Sequence, residues 1–149
     1  MKSTAKMLEY IREAEQRFQS SQIKDGSHCV GVFSKAAGYF ETIMRQKLKA
    51  TLDHCGVNYE TSFRKNVPEQ PSFTKLTLGQ IVRVFKALDA HERFLECFHD
   101  GVDVASFIEA VEKVNTAWVD VKHNRKEVSC NVALDRVRAM NRAIAQLAV

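Results

Sequence analysis

Apolar residues recur along this chain at intervals of three and four, and polar stretches rich in serine, asparagine, aspartate and glycine separate the runs. That period is the signature of amphipathic helices. The first stripe, Met7, Ile11, Ala14 and Phe18, predicts a helix over about 3–21, with Ser3 or Thr4 as N-cap. After a small-residue loop through Lys24-Asp-Gly-Ser-His28, the second stripe runs Phe33, Ala37, Phe40, Met44, Leu48 and Leu52 and predicts a helix over about 30–55. Gly38 weakens that helix by up to about 1 kcal/mol relative to alanine, unless a neighbouring helix uses its bare backbone for close approach. Residues 56–76, with Gly56, Pro68 and Pro71, read as a long loop. Such a loop is either a crossover between distant helix ends or a functional segment.

Thr77-Leu-Gly-Gln80 has the spacing of a capping box and opens a third helix on Leu78, Ile81, Val82, Phe85 and Leu88. Leu95 and Phe98 extend its stripe across the charged interval Asp89–Glu92, a place for a bend. Asp100-Gly-Val-Asp103 predicts a turn, with Asp103 capping a fourth helix on Phe107, Val111, Val114, Trp118 and Val121. That helix ends at His123-Asn-Arg-Lys, where cations suit the negative helix end. The fifth starts near Ser129 and carries Cys130, Ala133, Val137, Met140, Ile144 and Leu147 in a narrow seam suited to coiled-coil-like packing. Five amphipathic helices with mostly short links predict one all-α domain over 1–149, an up-and-down bundle.

Composition agrees with this picture. A chain of 149 residues, 45% hydrophobic and 27% charged, buries enough surface to fold without staples. The N-terminal stretch mixes charge into every turn and has no apolar core segment, so no secretory signal is expected. No run of about 18 apolar residues occurs, so no membrane span is expected either. The expected location is the cytoplasm, with Cys29, Cys55, Cys97 and Cys130 reduced.

The motif inventory removes several chemistries. The phosphate-binding P-loop, the dinucleotide fingerprint, the zinc-protease helix, the EF-hand loop and the nucleophile elbow are all missing from the sequence. His28-Cys29, His54-Cys55 and Cys97-Phe-His99 place soft ligands close together. Neighbouring side chains on a helix diverge by about 100° and rarely share an ion. No metal and no cofactor is therefore expected.

Charge placement is more informative than net charge. Between residues 122 and 142 stand six bases, Lys122, Arg125, Lys126, Arg136, Arg138 and Arg142, against Glu127 and Asp135. That surplus equals the +4 of the whole chain. It is either a solvated helix face or the footprint of a phosphate-bearing ligand. Within it, Lys122, Arg125, Lys126 and Arg136 are the candidate nucleic-acid contacts. His123 is the candidate acid–base group. Flanking cations favour its neutral imidazole, which could take a 2′-hydroxyl proton while the cations hold a scissile phosphate. The alternative is a surface histidine in a basic turn. A dyad of His123 with Cys130 competes with core packing of Cys130 on its stripe. Trp118 is expected in the core, and stacks on a base only if its ring reaches the surface.

Two segments carry a resemblance: Asn115-Thr-Ala-Trp118-Val-Asp-Val-Lys-His123-Asn-Arg125-Lys126 and Leu76-Thr-Leu-Gly-Gln-Ile-Val-Arg-Val-Phe. Over most of residues 76–147 the pattern resembles the HEPN superfamily. The resemblance implies a helical bundle that dimerises around RNA. It further implies a prokaryotic toxin or defence setting and, in active members, metal-independent RNase activity from an Arg-x4–6-His motif. If His123 is the family histidine, the arginine should stand five to seven residues earlier, where this chain has Trp118, Ala117 and Thr116. The implied function is then RNA or nucleotide binding without catalysis. Arg93 and His99 match the spacing literally, but on the third helix. A protein-interaction module of another class is also open. There the seam of the fifth helix or the stripe of the first would pair with a second copy or another protein.

Overall fold

The computed structural model describes residues 3–124 and 126–149. Among them are six α-helices, no named strand, and one isolated antiparallel bridge between Phe98 and Leu147. The helices are α1 (Thr4–Gln19), α2 (Gly26–His54), α3 (Tyr59–Asn66), α4 (Leu78–Leu88), α5 (Val104–His123) and α6 (Cys130–Gln146). The all-α bundle is as the periodicity predicts, with one helix more.

Each helix starts on a side-chain cap of the type its sequence offers. Ser3 caps α1 through the Lys6 N–H, and Asp25 caps α2 through the Ser27 N–H at 2.8 Å. Asp25 starts α2 four residues earlier than the stripe suggests and so places His28 and Cys29 on the helix. Thr77 and Gln80 form the full capping box of α4. The Leu78 N–H also donates to Glu41 of α2 at 3.0 Å, and Arg45 of α2 donates to the Leu76 carbonyl at 2.9 Å. The start of α4 is thereby fixed on the flank of α2.

The 29-residue α2, roughly 40 Å long, packs against α1, α4, α5 and α6. The hairpins α1–α2 and α5–α6 are closed by short links, and α6 lies against α5, α1 and α2. Phe33, Phe40, Phe85, Phe94 and Phe107 are fully buried in one continuous core. Met7, Ile11, Ala14 and Phe18 of α1 belong to that core, as do Ala133, Val137 and Met140 of α6. Both stripes proposed for pairing with a second copy are thus covered by the chain itself.

Three expectations change. Residues 56–76 are not a plain loop: Asn58 caps α3 through the Thr61 N–H at 3.1 Å, and Phe73–Lys75 forms a 3-10 turn. Phe63, Val67, Phe73 and Leu76 from this stretch are buried. The third predicted helix does not run on to Phe98. It stops at Leu88, and Phe94–Cys97 is a separate 3-10 turn. Leu95 is 67% exposed, while Phe94 and Phe98 turn inward and Phe98 packs edge-on to Phe107 at 5.0 Å. The charged Asp89–Glu92 interval ends the helix: none of its four residues is buried, so no apolar stripe anchors a further turn there. Finally, Trp118 is half-buried rather than in the core, with its ring tip 4.0 Å from where a Cβ on Gly38 would stand. The tighter helix approach is at Gly79 of α4, where a Cβ would meet the Asn115 amide of α5 at 3.0 Å.

No described helix is long and apolar enough to cross a membrane. Among the described residues no three His, Cys, Asp or Glu side chains gather as a metal site. All four cysteines are free thiols, and they fall into two neighbouring pairs. Cys29 at the start of α2 lies beside Cys130 at the start of α6, and Cys55 at the end of α2 lies beside Cys97. Burial and the adjacent Cys130 thiol push Cys29 up to about 12. Burial and Cys55 push Cys97 up to about 11. Cys130 is half-buried and lies against that thiol.

Candidate nucleic-acid interface

The turn from α5 into α6 is built by hydrogen bonds from the chain's own polar residues. The Asp120 carbonyl accepts the N–H groups of Asn124 at 3.2 Å and Lys126 at 3.1 Å. The Asp120 carboxylate also accepts the Asn124 amide at 3.1 Å. Val128 then dives into the core, and its carbonyl accepts the Cys29 thiol at 3.3 Å. Ser129 caps α6 by accepting the Val132 N–H at 3.2 Å.

This turn leaves a cleft of about 300 Å³ between the end of α5 and the first turns of α6. Thr116 and Asp120 line it from α5, Lys126 and Ser129 from the turn, and Val132 and Arg136 from α6. Glu127 also reaches it. Lys126 is exposed, and Arg136 is 25% exposed at its side chain, with its Nε buried and without a hydrogen-bond partner. Arg136 pairs with its neighbour Asp135, whose carboxylate also lies 3.6 Å from Lys113. Burial alone would raise Asp135, but the Arg136 hydrogen bond and the two nearby cations hold it below the usual carboxylate range.

The predicted site residues therefore divide. Lys126 and Arg136 share the cleft. Lys122 does not line it: its ammonium sits over the Trp118 ring, 4.6 Å from the centroid. His123 is the last residue of α5 and is exposed. Arg125 lies outside the described residues. Arg138, one of the six clustered bases, faces Glu15 of α1 at 3.9 Å. The basic surplus of the sequence is thus spread over several surfaces, and acids from α1, α5 and α6 offset part of it.

Sequence reasoning missed Thr116, Asp120 and Ser129 as cleft residues. The spacing of Thr116 and Asp120, four apart, was the available signal that they share a helix face. The Arg93–His99 pair is not arranged as a helical motif. Arg93 precedes the 3-10 turn and its Nε lies 3.4 Å from Glu96, while His99 is exposed and its N–H donates to the Gln146 carbonyl at 3.0 Å.

No family model, no curated protein and no solved structure matches this chain.

Proposed function

We propose that this chain is a HEPN-like helical protein of prokaryotic defence or toxin–antitoxin type that binds RNA or nucleotide at its basic C-terminal corner and does not cleave it. The observation that carries the reading is the convergence of Lys126 and Arg136, 10 residues apart in sequence, on one cleft beside the capped start of α6. Cations and helix-start N–H groups are the usual partners of a phosphate. Thr116 and Ser129 supply hydroxyls on the same walls. Lys122 and His123 stand at the exposed end of the helix that forms one wall.

The reading of binding without cleavage is supported by the sequence of α5. A histidine that takes a 2′-hydroxyl proton needs a cation placed to stabilise the phosphorane charge. The 20 residues of α5 include no arginine, so the Arg-x4–6-His pairing of active HEPN members is missing ahead of His123. A second copy of the chain, as the HEPN resemblance implies, would have to dock through a surface other than the α1 stripe or the α6 seam.

The test is a binding titration with a fluorescent single-stranded RNA in EDTA, comparing the wild type with Lys126→Ala/Arg136→Ala. Loss of two phosphate contacts should weaken binding by tenfold or more, at roughly 1 kcal/mol or more each. Equal affinity in the two proteins would show that the cleft is not the site.

A further inference from the structure

A separate cavity has an aromatic wall. It is about 370 Å³ and opens between α2, α3 and the Phe73–Lys75 turn. It shares no lining residue with the α5–α6 cleft. Its aromatic side is Tyr59, Phe63 and Phe73, packed edge-to-face with centroids 5.1 and 5.7 Å apart. Its cations are Arg45, Lys49 and Arg64, against the single acid Glu60.

Those cations are arranged around the rings. The Lys49 ammonium lies 5.0 Å from the Tyr59 centroid, and the Arg64 guanidinium 5.8 Å from that of Phe63. Arg45 is tied to the Leu76 carbonyl at 2.9 Å and to Glu41 at 3.4 Å, so its position is fixed by the α2–α4 junction. Lys49 and Arg64 are exposed and have no carboxylate ion pair among the described residues. The volume falls within the range of small-molecule sites, which are mostly apolar with a few placed polar groups. The cations suit an anionic group, and the aromatic wall adds apolar contact that a bare inorganic anion cannot use. Surplus positive charge rejects a cation. A ligand with a flat apolar body and one anionic group satisfies both halves.

We propose that this cavity is a binding site for a small organic anion with a flat aromatic body, the body lying along the cavity's aromatic wall beside Tyr59 and the anionic group meeting Lys49 and Arg64. It does not depend on the RNA reading.

The probe is anilinonaphthalene sulfonate, titrated into the full chain by fluorescence, beside the uncharged phenylnaphthylamine. Lys49→Glu/Arg64→Glu changes two exposed residues, so the fold should persist, and an unchanged thermal midpoint verifies it. Lys65→Glu is the control, since Lys65 is on the same helix but does not line this cavity. Saturable binding of one sulfonate per chain should weaken about tenfold or more in the double variant. It should be unchanged in Lys65→Glu, and the neutral analogue should bind less tightly. Equal binding by wild type and double variant, or equal binding of the charged and neutral probes, would overturn the assignment. Lys126→Ala/Arg136→Ala should leave this binding untouched, which separates the two sites.

Discussion

Replacing Phe63 by alanine tests whether α3 is part of the fold. Phe63 is 2% exposed and packs edge-to-face against Phe73. Its removal loses the transfer energy of a whole ring and leaves a cavity, which together cost about 3–5 kcal/mol in a packed core. The site is near the surface and beside an open cavity, so partial collapse places the expectation at about 3 kcal/mol. For a chain of this length that corresponds to a fall of roughly 6–12 °C in Tm. Urea unfolding followed by far-UV circular dichroism measures it, with Lys65→Ala as an exposed control expected within about 0.5 kcal/mol of wild type. If residues 56–76 were a loosely attached loop, both substitutions would be near neutral. A loss below about 1 kcal/mol for Phe63→Ala would refute the packing described for α3.

Thr77→Ala removes one half of the α4 capping box and should destabilise the protein by about 1 kcal/mol, measured by the same unfolding curve. The Cys29 thiol, raised by burial and the neighbouring Cys130, should react with an alkylating reagent far more slowly at pH 8 than a free thiol, read by mass spectrometry under native conditions. The same shift sets the sign of an alkaline effect: above about 9 the unfolded thiol gives up its proton while the folded one keeps it to about 12, so stability should fall as pH rises through that window. Stability that climbs over this range would contradict the burial of the thiol. Lys122→Ala frees the face of Trp118, the single tryptophan, and should change its emission while stability moves by no more than about 1 kcal/mol; an unaltered spectrum would count against the stacked ammonium.

The bundle was legible in the sequence because most of its helices are long enough to show a stripe. Met7, Ile11, Ala14 and Phe18 needed only their spacing, and Thr77 with Gln80 announced a helix start by chemistry alone. The eight residues of α3 offer only Tyr59 and Phe63 at helical spacing, too short a run for a period to emerge. Tertiary burial of Phe63, Val67 and Phe73, invisible in local pattern, holds that segment. Leu95 looked like a continuation of the α4 stripe because a stripe carries no sign of where the backbone bends. The charge cluster misled in a similar way. Sequence order displays Arg138 among bases, whereas the fold brings it to Glu15, far away along the chain. Lys126 and Arg136 were legible as cations, but their common cleft required the turn that Asp120 and Asn124 build.

The measurement that tests the central claim most directly is the salt dependence of RNA binding by the wild-type chain in EDTA, with the RNA recovered and sized afterwards. Two phosphate contacts, from Lys126 and Arg136, give a slope of about −1.4 in log affinity against log salt, or roughly a sevenfold loss between 50 and 200 mM. The account predicts that loss, with the RNA intact. Binding that ignores salt, no binding at low salt, or RNA cut in EDTA and spared by His123→Ala would contradict it.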